Sequence, residues 1–385
     1  MAASAAPAPA APTPTADERA ALARATVLAE AARGRSSPNP AVGCVLLRDA
    51  VVVGEGVTAA VGGPHAEVAA LRAAGPAARG ATAVVTLEPC NHHGRTPPCT
   101  EALLAAGVRR VVFALPDPDP LATGGAAALR AAGAEVPEPP RPDDALRGAV
   151  ALQLEGFLTL VARGRPHVTL KLAQTADGRL VASDGRRWIT GPAARRAVHR
   201  WRAGVDAVLV GAGTVLADDP RLDVRDVPTD RQPRPVVFDA RLRTPPGARL
   251  VRPGAVVVTV PGHPVGVTGP LTAAGAEVLE VAGNPHGGVQ LGAALAALGR
   301  AGIASVLAEP GPTLAEALVA GGHVDRVVLH VAVDQRTGPA VRAVGLPPAP
   351  PWRTERSGGA GTDLILHLAP AAPAAADPHE TEEAA

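Results

Sequence analysis

Pro89-Cys90-Asn91-His92-His93-Gly94-Arg95-Thr96-Pro97-Pro98-Cys99 carries two of the three cysteines in the chain, and His65-Ala66-Glu67 stands upstream of it. Two thiols, one imidazole and a carboxylate that need not coordinate are the parts of a catalytic zinc site. Three protein ligands, His65, Cys90 and Cys99, leave the fourth tetrahedral position to water. Residues two apart on a helix do not share a face, so His65 and Glu67 can serve one ion only from a helix entrance. Pro64 suits such an entrance. Cys90 follows a strand end, and Cys99 follows Pro97-Pro98 at another helix start, where the partial positive charge favours a thiolate. Glu67 then falls to the role of proton carrier between water, a ring nitrogen and a leaving amine. The competing reading is a closed structural site with His92 or His93 as fourth ligand; it leaves the His-x-Glu triplet unexplained. Cys44, inside the apolar run Val42-Gly43-Cys44-Val45, reads as a small buried hydrophobe.

Outward from this segment, 385 residues exceed one ordinary core and predict two domains. Hydrophobic residues are 47% but aromatics only 2%, so the cores must be built from Leu, Val and Ala. A formal net charge of +1 supplies no electrostatic argument for nucleic acid or an anionic membrane, and neither is expected as a partner. No apolar run reaches the length of a membrane span. Three cysteines without disulfide-framework spacing point to a reducing, cytoplasmic setting. Residues 1–16, rich in Ala, Pro and Thr, lack the basic and apolar regions of a secretory signal and are expected to be a disordered extension. Residues 369–385 read as a disordered tail. Lys171 is the one lysine; every other basic residue is arginine. A position that keeps Lys under such a bias points to a need for a compact ammonium rather than a planar fork.

Hydrophobic periodicity and Gly/Pro punctuation predict a layered α/β organisation. In the first part, helices are expected at 17–33, 65–74, 98–106, 122–132 and 148–160. Strands are expected at 42–47, 51–57, 81–87 and 108–114. The run 162–166 reads as a junction. Beyond it, strands are expected at 168–172, 207–210, 235–239, 255–260, 305–309 and 327–333, with helices at 191–202, 291–298 and 313–320. The boundaries are therefore 17–161 for the domain that carries the zinc-ligand set and 165–368 for a second one.

The His-x-Glu triplet followed by Pro-Cys and a further Cys is the signature of the zinc deaminases, although eight residues, rather than the usual two, separate these cysteines. With Ser37-Pro38-Asn39-Pro40-Ala41-Val42-Gly43-Cys44 and Thr86-Leu87-Glu88-Pro89-Cys90, the first half resembles the bifunctional deaminase–reductase family of riboflavin biosynthesis, RibD. The resemblance continues through Leu170-Lys171-Leu172-Ala173, Asp177-Gly178-Arg179, Trp188-Ile189-Thr190, Thr214-Val215-Leu216-Ala217-Asp218-Asp219-Pro220 and Glu309-Pro310-Gly311-Pro312-Thr313-Leu314. It covers roughly residues 18 to 366.

That resemblance implies a cytidine-deaminase-like α/β/α sandwich followed by a dihydrofolate-reductase-like α/β domain. It implies hydrolysis of the 2-amino group of 2,5-diamino-6-(5-phosphoribosylamino)pyrimidin-4-one, then NADPH-dependent reduction of the ribosyl group of the deaminated product to ribityl. His65, Cys90 and Cys99 match the family's zinc ligands and Glu67 its proton shuttle. Ala173, Trp188, Thr214, Asp218 and Gly311, Pro312, Thr313, Leu314, Ala315, Glu316 and Ala317 match NADPH-contacting positions. Arg202, Leu222, Arg225 and Glu309 match substrate-contacting ones. Asn39 is expected to read the pyrimidine edge and Lys171 to lie near the sugar or its phosphate. Arginines suit a phosphorylated substrate because they grip phosphate bidentately. A homo-oligomer, dimer or tetramer, is implied. Three positions depart from the family pattern. Asn91 stands where a serine is common, Arg186 where a serine often contacts substrate, and Ala240 where a serine often touches NADPH. Arg186 and Ala240 motivate the alternative of an active deaminase with a decayed, non-catalytic reductase-like half. No Gly-x-Gly-x-x-Gly follows a strand, and a dihydrofolate-reductase-like fold needs none.

Overall fold

Thr15 starts the first helix with a reciprocal cap: its hydroxyl accepts from the Glu18 N–H, and the Glu18 carboxylate accepts from the Thr15 N–H. Helix α1 (Ala16–Ala29) therefore begins one residue inside the stretch expected to be a disordered extension. The structure, a computed structural model, describes residues 13–94, 97–176, 189–332 and 352–370. It divides into two units, Met1–Gly164 and Arg165–Ala385.

In the first unit α1 is followed by β1 (Gly43–Arg48), β2 (Val51–Val57), α2 (Ala66–Ala74), β3 (Thr82–Leu87), α3 (Cys99–Ala105), β4 (Arg110–Leu115), α4 (Gly125–Ala131), α5 (Ala145–Gln153) and α6 (Glu155–Arg163). Asp49 and Ala50, both at positive φ, close the β1–β2 hairpin, as a two-residue turn matched to strand twist requires. The sheet order is β2-β1-β3-β4. β1 is antiparallel to both neighbours, and β3 and β4 are parallel. β1 and β3 are nearly continuous apolar runs because helices cover both faces. α2 lies so close to β2 that a Cβ on Gly56 would stand 2.3 Å from the Ala66 carbonyl oxygen. That contact fixes the start of α2 against the sheet. The single helix expected at 148–160 is instead two, bent by 71°. Asp144 caps the first through the Leu146 and Arg147 N–H groups. Leu154, 2% exposed, leaves helical geometry to enter the core.

The second unit runs β5 (His167–Thr175), α7 (Pro192–Gly204), β6 (Ala207–Gly211), α8 (Ala212–Asp218), β7 (Arg234–Phe238), β8 (Val256–Thr259), α9 (Val265–Ala273), β9 (Glu277–Glu280), α10 (Leu291–Arg300), β10 (Ser305–Ala308), α11 (Pro312–Ala320), β11 (Arg326–Ala332), β12 (Trp352–Ala360) and β13 (Asp363–Pro370). Its sheet order is β12-β13-β11-β5-β10-β6-β7-β8-β9. The seven strands from β11 to β9 are parallel. β13 and β12 complete the sheet antiparallel. Val168, Leu170 and Leu172 pack against Leu295, Leu298 and Leu318 on one face. Val208, Val210 and Leu307 pack with Val198 of α7 on the other. β13 runs through Ala369 and Pro370, so the expected tail begins two residues too early; residues 371–385 lie outside the described residues. α8, α9, β9, β12 and β13 lie outside the predicted elements. β12 is a polar, largely exposed edge strand with no apolar alternation, and α9 carries Pro270 in its interior.

The chain passes from β5 to β6 and outward to β9, then returns to insert β10 between β5 and β6. Such a reversal opens a crevice beyond the carboxyl ends of the strands. Gly211 ends β6, Glu309 follows the end of β10, and Ala173 lies two residues before the end of β5.

Candidate active sites

His65 is the residue before the first turn of α2, in extended geometry, and Cys99 is the first residue of α3. Pro64 lies just ahead of that cap rather than within the helix. Cys90 follows β3 through Glu88-Pro89. The three side chains meet: Nδ1 of His65 is 3.6 Å from Cys90 Sγ and 3.3 Å from Cys99 Sγ. The Cys99 N–H donates to Cys90 Sγ at 3.5 Å. All three potential ligand atoms lie within 4.8 Å of one another. A tetrahedral zinc bound at ~2.3 Å by sulfur and ~2.0 Å by nitrogen separates the two by about 3.5 Å, so the donor set fits that ion. The Cys99 side chain and then His65 stabilise the Cys90 thiolate, holding that thiol well below its ordinary range. Glu67 is 4% exposed, and burial pushes its carboxyl up to about 7.

The cluster opens into a cavity of about 570 Å³. Asn39 lines it, its loop tied by Asn39 N–H to the Ser36 carbonyl and by Ser36 Oγ to the Asn39 carbonyl. Glu88 supports the metal corner from behind, accepting from the Asp117 and Ala126 N–H groups. Gly125 packs there too: a Cβ would stand 1.8 Å from the Pro89 carbonyl oxygen. Asp117 and Asp119, after β4, and Phe157 and Leu160 of α6 also line the cavity. Sequence reasoning missed all four. The two acids sit just past the carboxyl end of a parallel strand, and that position was the available signal.

In the second unit Arg202 of α7 grips Glu309 bidentately at 2.7 and 3.1 Å and donates to the Asp223 carbonyl at 2.9 Å. Both side chains are mostly buried, 12% and 14% exposed. Lys171 lies in the field of this pair, its ammonium disfavoured by burial and favoured by Glu309. Arg225 pairs with Asp223, and its N–H donates to His199 Nδ1. Leu222, 2% exposed, adopts a positive φ between these groups. At the neighbouring strand ends Gly211 precedes α8 and Gly311 precedes α11. A Cβ on Gly311 would stand 3.6 Å from Thr214 Oγ1, and one on Gly211 would stand 3.4 Å from Leu314.

Residues 16–115 match the family model for the cytidine and deoxycytidylate deaminase zinc-binding region, and residues 166–333 match that for the RibD C-terminal domain. The chain is 39% identical over 368 residues to riboflavin biosynthesis protein RibD of Escherichia coli K12, covering 90% of this chain and 98% of that protein. The chain belongs to the RibD family. RibD of Mycobacterium tuberculosis is 40% identical over 346 residues, covering 87% and 92%. The solved structure of Acinetobacter baumannii RibD superposes with a TM-score of 0.80 at 37% identity, covering 92% of this chain and 99% of that one. A Thermotoga maritima structure described as a diaminohydroxyphosphoribosylaminopyrimidine deaminase/5-amino-6-(5-phosphoribosylamino)uracil reductase superposes at 0.77 with 32% identity, covering 92% and 99%.

As a RibD the chain is a bifunctional deaminase and reductase of riboflavin biosynthesis, with a zinc-binding deaminase half and an NADPH-dependent reductase half. The α/β/α sandwich and the dihydrofolate-reductase-like domain are the folds of those halves. Around the reductase crevice the structure gathers Lys171, Arg202, Leu222, Arg225 and Glu309. Thr214 lies with Gly311 and Leu314, and Ala173 is on β5 beside Lys171. Of the other expected residues, Ala315 is buried in the core, and Asp218, Glu316 and Ala317 are exposed. Ala240 is half-buried, and its carbonyl meets the His263 ring at 3.0 Å. Trp188, Asp177, Gly178, Arg179 and Arg186 lie outside the described residues. Among the described residues no single helix is long and apolar enough to cross a membrane.

Proposed function

We propose that the first unit hydrolyses the 2-amino group of 2,5-diamino-6-(5-phosphoribosylamino)pyrimidin-4-one, and that the second reduces the ribosyl group of the deaminated product to ribityl. The observation that carries the first half is one cavity lined by Asn39, Glu67, His65 and Cys90, with Cys99 completing the ligand set behind them. A diaminopyrimidine presents ring nitrogens and amino groups that an amide side chain can both accept from and donate to, so Asn39 orients the ring edge. Zinc, when bound by His65, Cys90 and Cys99, supplies a Lewis acid that acidifies water at neutral pH. The Glu67 carboxylate carries one proton of the attacking water to the ring nitrogen and then the second to the departing amine. Water oxygen replaces the amino group and ammonia leaves. Burial of Glu67 favours its protonated form and so its proton-delivering half-step.

In the second unit the Arg202–Glu309 pair, Lys171 and Arg225 supply the polar groups for a phosphorylated sugar. Glu309 holds the Arg202 fork in one orientation, which preorganises a donor pair for phosphate or sugar oxygens. Lys171 stands next to it as a compact cation. NADPH, when bound along Ala173, Thr214 and the Gly311–Ala317 stretch, supplies the hydride. Free thiols at Cys44, Cys90 and Cys99 support a reducing, cytoplasmic setting.

Incubation of purified protein with the diaminopyrimidine ribotide tests both halves. Mass spectrometry should find the deaminated ribosyl compound without NADPH and the ribityl compound with it. Unchanged ribotide in both arms, from zinc-loaded protein, contradicts the substrate assignment.

A further inference from the structure

His330 sits mid-strand on β11 and is wholly buried, at 0% exposure, yet neither ring nitrogen has a hydrogen-bond partner among the described residues. A buried polar group without a partner is uncommon and unfavourable, so this ring requires an explanation. Register supplies its neighbours. His330 pairs with Ala173 of β5 and Ile365 of β13, and two residues back Val328 pairs with Lys171. Paired residues share a sheet face, and alternate residues along one strand do as well. Val328 packs with Ala197 of α7. Lys171 and His330 therefore occupy the face that α7 covers. Glu309 arrives there from β10 and is held by Arg202 from α7.

Glu309, Lys171 and His330 thus cross three adjacent strands beneath one helix. The charges acting on His330 are those of Lys171, Glu309 and His367; those acting on Lys171 are Glu309 and Arg202. Burial, then the Lys171 ammonium, keeps the ring unprotonated. A neutral imidazole offers one lone pair, and an ammonium offers three donors. Without another acceptor, that ammonium would lean on Glu309 and compete with Arg202 for it.

We propose that His330 is a positioning residue of the reductase: its neutral ring, unpartnered in the free protein, accepts a hydrogen bond from the Lys171 ammonium when nucleotide and sugar phosphate are bound, and so leaves Glu309 to orient Arg202. This rests on the reading of Lys171 as a sugar-side group. Lys171 is the one lysine in the chain, so protein grown on lysine labelled with carbon-13 at Cε gives a single side-chain signal. Its titration is followed in zinc-loaded enzyme with NADP+ and ribose 5-phosphate as probes. His330→Phe should lower the Lys171 midpoint by about one pH unit, move the alkaline limb of reductase kcat the same way and lower kcat about tenfold. The KM for NADPH and the deaminase rate should stay put. His330→Gln, which restores a neutral acceptor, should return midpoint and limb toward wild type. His330→Leu replaces the Phe variant if the latter fails to fold. A midpoint and limb unmoved in the apolar variant, or equally displaced in the Gln variant, overturns the proposal. Lys171→Met separates the two claims: full reductase activity there removes the sugar-side reading itself, whereas loss of activity there with unmoved His330 variants removes only the positioning role.

Discussion

Glu309→Gln removes the one carboxylate that Arg202 holds at two contacts, 2.7 and 3.1 Å long. The pair is largely shielded from water, with side chains 12% and 14% exposed. Lys171 shares the field of Glu309, so the variant leaves two cations facing a neutral amide. Asp223 and Asp226 remain as the acids acting on Arg202. Breaking a buried pair by removing one partner costs about 3–5 kcal/mol. Glutamine keeps one carbonyl acceptor, which places this case at the lower end, about 3 kcal/mol. For a unit the size of residues 165–385, each kcal/mol displaces the midpoint by about 2–4 °C, so a fall of about 6–12 °C is expected. All three tryptophans, Trp188, Trp201 and Trp352, lie in this unit. Thermal unfolding followed by tryptophan fluorescence therefore reads it without contribution from the deaminase half. Reductase turnover should fall while deamination persists. A midpoint displaced by less than about 2 °C, with reduction intact, refutes the role given to the pair.

Other expected outcomes are equally direct. Glu67→Gln should retain zinc and lose deamination, measured by ammonia release, while reduction of the deaminated intermediate survives; loss of both activities in folded, zinc-loaded protein contradicts independent sites. Gly125→Ala should displace the Pro89 carbonyl, which its new methyl would otherwise approach to 1.8 Å, and so loosen Cys90; zinc retention against a chelator should fall about tenfold or more, and an unchanged off-rate counts against the packing argument. Acid should weaken the second unit through His330, which protonates at about 4 when folded and near 6.5 when not. The unfolded chain then binds the extra proton between those values, so this contribution is complete above pH 6.5 and is lost as pH falls toward 4. The difference is on the order of 3 kcal/mol. His330→Phe should flatten that acid flank in urea unfolding, and identical slopes in both proteins would defeat the assignment.

The metal site was legible because its chemistry restricts residue types and its ligands sit at element boundaries. His-x-Glu at a helix entrance, and cysteines after a strand and before a helix, are positions a sequence marks with proline and with changes of period. β5, β6, β7, β8, β10 and β11 of the second unit were legible for a plainer reason: buried parallel strands are short runs of Val, Leu and Ala. Their order was not, because the insertion of β10 between β5 and β6 depends on long-range pairing that no local pattern encodes. Asp117 and Phe157 were missed since each joins the cavity through the fold, from a loop and a helix distant in sequence. Lys171 was conspicuous through composition alone. His330 was not, because a single histidine in an apolar strand carries no periodic signal; its two unpartnered nitrogens become visible only when β5 and β13 are laid beside it.

Zinc content and zinc X-ray absorption on freshly purified protein test the central claim most directly. One ion per chain is expected, with two sulfur and one imidazole ligand and a light oxygen scatterer in the last position. His65→Ala and Cys99→Ala should each abolish it. Protein that holds no zinc yet deaminates the ribotide, or an ion closed by a fourth side chain, contradicts the mechanism.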